Sequence, residues 1–142
     1  MAKNNNIGSW SLTLLRVVLG IIFTYHGYAK LFLPGGFKGT VGFFTAISIP
    51  MAAYAAVIVS FVEFAGGLFL VFGVLTKWAA FALLIEMLVA LFKVHIKSGF
   101  FISQQAYGYE YLLLLLAALI VVLVNGSGKL SLGSMLKSKH LK

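Results

Sequence analysis

The sequence contains no cysteine and no aspartate, and its 142 residues hold only three acidic side chains, Glu63, Glu86 and Glu110. Without cysteine the chain can by itself form no disulfide, relay no dithiol and build no thiolate metal site. No close pair such as His-x-x-x-His is present either, so no metal site is expected. Charged residues of both signs amount to 10% of the chain, where a soluble domain carries roughly a quarter. The hydrophobic fraction of 61% and a mean hydropathy of +1.03 instead describe a chain dissolved in lipid.

Long apolar runs are what the sequence has in place of charge. A membrane-spanning helix needs roughly 20 mostly apolar residues, and four stretches qualify, about 12–32, 53–75, 78–96 and 109–124. The predicted fold is all-α, a transmembrane four-helix bundle forming one integral membrane domain. The first run is too long for a signal-peptide core and contains Arg16, so it reads as a retained helix. Pro34-Gly35-Gly36 ends it, because proline and paired glycines do not continue a helix. The connector 37–50 is amphipathic, with Phe43, Phe44 and Ile47 on one side. It predicts a short interfacial helix that lies in the headgroup plane or folds back over the bundle. Thr76-Lys77 is too short a turn for anything but antiparallel neighbours. His26 and Lys30 before Gly35-Gly36-Phe37 resemble Lys93, His95 and Lys97 before Gly99-Phe100-Phe101, which makes a 2+2 helix repeat a candidate.

Basic residues outnumber acidic ones to give a net charge of +8. They collect at helix ends and in the basic tail 129–142, where they suit anionic lipid headgroups rather than nucleic acid. Four spans put both termini on one side, with Lys3, Lys77, Lys129, Lys137, Lys139 and Lys142. The other side has Lys30, Lys38, Lys93 and Lys97, so the positive-inside rule predicts cytoplasmic termini. Trp10 and Trp78 then mark the inner boundary, and Tyr54, Tyr107, Tyr109 and Tyr111 the outer one.

Ionisable groups inside a bilayer are costly and by default functional candidates. Helical spacing turns them inward: Arg16, Gly20, Gly27 and Lys30 share one face of the first run, Ser60, Glu63 and Gly67 one of the second, and Ala82, Glu86, Ala90 and Lys93 one of the third. In the fourth, Glu110, Ala117 and Val121 repeat the pattern. Depth at about 1.5 Å per residue predicts two layers. The inner layer is an intramembrane charge cluster of Arg16, Glu63 and Glu86, in which an Arg16–Glu63 pair specifies helix contacts and the excess Glu is a candidate proton carrier. The outer layer gathers His26, Lys30, His95 and Glu110, either as interhelical hydrogen bonders and headgroup anchors or as a site for a small molecule or quinone headgroup.

Five segments taken together, Leu15–Gly20, Tyr25–Leu31, Gly42-Phe43-Phe44, Val62–Gly67, and His95 through Gly99-Phe100-Phe101 to Tyr109-Glu110-Tyr111, resemble the DoxX family of four-helix bacterial and archaeal membrane proteins, over about residues 11–132. The resemblance implies a prokaryotic plasma-membrane protein, and a quinone-linked or redox-associated subunit of a membrane oxidoreductase system rather than a stand-alone enzyme. It also implies quinone as the non-covalent cofactor, a soluble or membrane redox protein as partner, and homo-oligomerisation as a candidate state. The lack of cysteine removes the thiol relay that some relatives use. Two readings from other classes stand beside this one: a non-catalytic scaffold or assembly factor, and a small proton-coupled transporter.

Overall fold

The computed structural model describes residues 4–103 and 108–135, all helix and connecting turns apart from one bridge residue. Lys3, Tyr107, Lys137, Lys139 and Lys142, used above for topology, lie outside the described residues. Helix α1 covers Asn4–Phe32, α2 Gly36–Ala46 and α3 Ala52–Phe72. Helix α4 covers Thr76–Ala90 and runs into a π-helical turn, Leu91–His95, and a 3-10 turn, Ile96–Ser98. Helix α5 covers Glu110–Asn125 and α6 Leu132–Met135.

The expected runs all appear, with shifts that have local causes. Helix α1 begins at Asn4 rather than near residue 12, because nothing between them breaks a helix. Helix α3 stops at Gly73, whose φ of 70° closes the end with N–H bonds from Gly73 to Leu70 O and from Val74 to Phe69 O. Among the described residues, three helical stretches are long and apolar enough to cross a membrane, Ile7–Phe32, Ala52–Phe72 and Thr76–Ser98. The fourth, Glu110–Asn125, has 16 residues and a length of about 24 Å, under the ~30 Å hydrocarbon core. The Phe100-Phe101-Ile102 segment continues from its first turn.

Packing divides the bundle into two pairs. Helices α1 and α3 run antiparallel in close contact, because glycines remove the side chains between them: a Cβ on Gly20 would stand 2.6 Å from Val71 N, and one on Gly27 2.3 Å from Phe64 N. Helix α4 packs along α5, and the pairs join where α3 meets α4 and α1 meets α5. Leu19, Leu70, Leu83, Leu119 and Val122 form the buried core between them. Helix α2 buries no residue of its own and rests on α1 and α3. It therefore folds back over the bundle, the second of the two placements its pattern allowed.

The start of α1 and the end of α5 meet at one end, where the Lys129 N–H donates to Thr13 Oγ1 at 2.9 Å. This is the terminal end. Helix α2 and residues 99–103 and 108–109 lie at the other, the loop end.

Candidate functional site

Each ionisable side chain of the first run has a different fate. Arg16 is buried and bonds to no carboxylate. Its guanidinium donates to the carbonyls of Leu70 and Val71, the latter at 3.1 Å, and to Leu130 O at 2.5 Å. The negative end of the α3 dipole lies there, so Arg16 adds a charged donor to a helix end that the Gly73 and Val74 N–H groups already close, and it ties α1 to the segment after α5. Gly73 makes room for this: a Cβ there would come within 2.7 Å of the Arg16 Nη1.

The expected Arg16–Glu63 pair is therefore not formed. The glycine contacts set the register of α1 on α3 and place Glu63 level with residues 27–30, about 18 Å along the axis from Arg16. No arginine side chain covers that distance. Glu63 instead pairs with Lys30 through its Oε2. The expected depths put these two residues in separate layers, but helical side chains lean toward their own N-terminus. Lys30 leans inward and Glu63, on an antiparallel helix, leans outward to meet it.

Glu86 reaches the same place from α4, within electrostatic range of both Glu63 and Lys30. Its Oε2 is buried with no hydrogen-bond partner among the described residues. Two carboxyl groups thus face one ammonium. A proton or a donor from a bound molecule completes the set.

The three groups stand at the polar end of a cleft of about 1050 Å³ at the loop end. The cleft opens where α3 and α4, held together at their tight turn, diverge beyond Glu63 and Glu86. Its floor is the top of the core, Phe23, Met87, Leu112 and Leu115. Its walls are apolar: Ile58, Val59 and Val62 from α3, and Ile85, Val89 and Ala90 from α4. Phe43, Phe44 and Ile47 of the α2 segment cover one side, the side their spacing marked as apolar.

Of the outer-layer residues, His26, Lys30 and His95 all line the cleft. Glu110 does not. Its Oε1 accepts the Ile102 N–H at 2.9 Å, and its own N–H donates to Phe100 O at 3.0 Å, so it fastens the loop rather than facing the cavity. Lys93 and His95 enter through the π-helical turn, a feature that recurs at functional sites and that a straight-helix pattern does not reveal. Tyr111, expected only as an aromatic of the outer boundary, and Ile102, which the sequence does not single out, also line the cleft. Helix α5 buries Leu112, Leu115, Leu116, Leu119 and Val122, so the face expected from Glu110, Ala117 and Val121 is the one turned out.

The DoxX family model matches residues 11–96, which include most of α1, all of α2 to α4 and both carboxylates of the cleft. A Bacillus subtilis (strain 168) protein named "Putative oxidoreductase CatD" is 33% identical over 115 residues, 81% of this chain and 78% of that protein. An uncharacterized protein of Haemophilus influenzae is 34% identical over 123 residues, covering 85% of this chain and 87% of its own length. An uncharacterized membrane protein of Mycobacterium tuberculosis is 29% identical over 140 residues, 93% of this chain and 85% of that one. No solved structure matches the chain significantly. With the family match spanning most of the chain and an all-helical membrane bundle beneath it, this protein belongs to the DoxX family.

Proposed function

We propose that the cleft binds an amphipathic molecule of the quinone class, and that the chain serves as the membrane subunit of a redox system. One observation carries this reading: a long apolar cleft ends at a buried carboxyl oxygen, Glu86 Oε2, that has no partner among the described residues. A quinone, when bound, supplies the ring that takes up electrons and protons. The chain's own residues do the rest. The walls of α3 and α4 hold an isoprenoid tail, Glu86 in its protonated form donates to a ring oxygen, and Lys30, fixed by Glu63, supports the charge beside it. The core beneath Phe23 and Leu112 keeps water from the terminal side out. Having no cysteine, the chain passes no electrons through thiols. The reading therefore makes it an accessory subunit that works with a soluble or membrane redox protein, in keeping with the oxidoreductase description carried by the Bacillus subtilis relative.

The test is titration of the purified chain with a menaquinone or ubiquinone analogue. Saturable binding is expected, weakened about tenfold in Glu86→Leu, which removes the donor, a loss of ~1.4 kcal/mol, and also weakened in His26→Ala. Absence of saturable binding, or unchanged affinity in both variants, overturns the reading. The same proposal places the chain in the plasma membrane with both ends cytoplasmic. Because the chain has no native cysteine, single Lys38→Cys and Lys129→Cys substitutions report sidedness cleanly: an impermeant thiol reagent on intact spheroplasts should label the first and not the second.

A scaffold role without ligand is the second reading, favoured by the Lys30–Glu63 pair being complete in itself. It expects a Lys30→Met/Glu63→Met double variant to retain full cellular function, where the ligand reading expects loss.

A further inference from the structure

The terminal end holds a second cavity, a groove of about 980 Å³ between the first turns of α1, the end of α5 and the turn joining α3 to α4. One side is apolar, made by Leu12, Leu15 and Val121. The other is polar, made by Ser9, Ser11, Lys77, Asn125 and Ser127. The polar side faces the glycines of the turn after α5, and the stem of Lys77 runs over Gly126, with Cε 3.5 Å from where a Cβ on that residue would stand.

Charge decides what this groove accepts. All three acidic side chains of the protein lie elsewhere: Glu63 is paired with Lys30, Glu86 stands beside that pair, and Glu110 binds the backbone of Ile102. The Lys77 ammonium is exposed in a groove with no acidic side chain to meet it. The neighbouring Lys129 lies over the Trp10 ring at 5.5 Å and adds positive potential at the same level. Hydroxyl and amide groups complete the polar side. The Asn125 amide nitrogen donates to Val121 O at 2.8 Å and Ser11 Oγ to Ile7 O at 3.0 Å, while Ser127 is buried at the turn.

Depth decides its source. The groove begins at Gly8, in the first turn of the membrane-crossing stretch Ile7–Phe32. Trp10 and Trp78, both exposed, flank it at the level where tryptophans mark the membrane interface. Its apolar side continues down the spans toward the hydrocarbon, as an acyl chain would. We infer that this groove is a binding site for an anionic phospholipid, with the headgroup phosphate on Lys77 and the glycerol and upper acyl carbons along Leu12, Leu15 and Val121. A lysine next to an anionic membrane surface contributes about 1 kcal/mol, equivalent to roughly fivefold in affinity.

Native mass spectrometry of the full chain in detergent, with phosphatidylglycerol and phosphatidylcholine of matched acyl chains, tests this. Phosphatidylglycerol should bind at least fivefold more tightly. Lys77→Gln should bring it close to the phosphatidylcholine value, Lys77→Arg should keep the preference, and Lys38→Gln at the loop end should leave it unchanged. Lys77 is exposed, so its variants fold. Val121→Trp, filling the apolar side from another exposed position, should weaken both lipids. Equal binding of the two lipids, or a preference that survives Lys77→Gln, overturns the inference. So does displacement of phosphatidylglycerol by inorganic phosphate at equal concentration, which would identify a free anion as the ligand. Glu86→Leu leaves lipid preference untouched, so the outcome is separate from that of the quinone reading.

Discussion

Arg16 and Lys30 sit on one face of one helix, fourteen residues apart, and the bundle accommodates these two cations, one buried and one half-buried, in opposite ways. Arg16 is enclosed. Its two terminal nitrogens donate to backbone carbonyls of α3 and of the segment after α5, at the negative end of the α3 dipole, while its Nε is buried with no partner among the described residues. Lys30 is answered by a carboxylate in a cavity wall, with a second carboxyl beside it that has no cation of its own. A cation on carbonyls closes a structure, because carbonyls neither titrate nor move. A cation on one of two carboxyls leaves a group whose state a ligand or a proton can change. At the terminal end the buried cation is thereby locked in place, and at the loop end the charged set stays open to a change of state.

The contrast breaks most severely at the α1–α3 seam near Arg16. Gly20→Leu drives a side chain into the backbone of Val71, and the helices must part; a loss of about 3 kcal/mol or more is expected, seen as collapse of the thermal unfolding midpoint in detergent. Gly39→Leu on α2 meets nothing within 4 Å and should leave that midpoint nearly unchanged. Arg16→Met comes next. It removes the side-chain donor to the carbonyls of Val71 and Leu130 and should cost about 3 kcal/mol, whereas Arg16→Lys recovers only part, since one ammonium does not reach both helix end and tail as a planar guanidinium does. Ligand affinity of the folded fraction should remain at the parent level in both.

At the loop half the expected effects on stability are smaller and are coupled. Lys30→Met leaves Glu63 buried without its cation, and Glu63→Met does the same to Lys30, each at a cost of roughly 1–3 kcal/mol. The double variant should lose less than the sum, with a coupling of about 1–2 kcal/mol, because replacing both partners removes the uncompensated charge. Additive losses would mean that the two groups do not depend on each other, and the distinction drawn between the halves would fail.

Much of this was legible from residue order alone. The apolar runs, the inward glycine and charge faces of the first three runs, and the apolar side of α2 follow from periodicity, and the structure keeps them. Register was not legible. Whether Arg16 meets Glu63 or the end of α3 depends on how far α1 slides along α3, and that is set by backbone contacts at Gly20, Gly27 and Gly67 that a list of inward residues leaves undetermined. Helix α5 was opaque for another reason: a run such as Leu112–Leu116 is apolar on every side, so it has no face to read. The π-helical turn that brings His95 into the cleft has no sequence signature at all.

Glu110 provides the finest test of what separates a ligand residue from a frame residue. Its position at the top of α5, with His26 and His95 also at that level, matches a headgroup contact, yet its carboxylate accepts the Ile102 N–H and does not line the cleft. Glu110→Ala should therefore act on the loop: amide exchange at Ile102 is expected to speed up by about fivefold, the loss of one hydrogen bond of ~1 kcal/mol, with little change in unfolding midpoint. Glu110→Gln retains an acceptor oxygen and should exchange at nearly the parent rate. Quinone-analogue affinity should be unaffected by either variant while falling in Glu86→Leu. Should it fall in Glu110→Gln instead, with loop exchange unchanged, then Glu110 is a ligand contact and the polar end of the site extends past the Lys30–Glu63–Glu86 set to the loop itself.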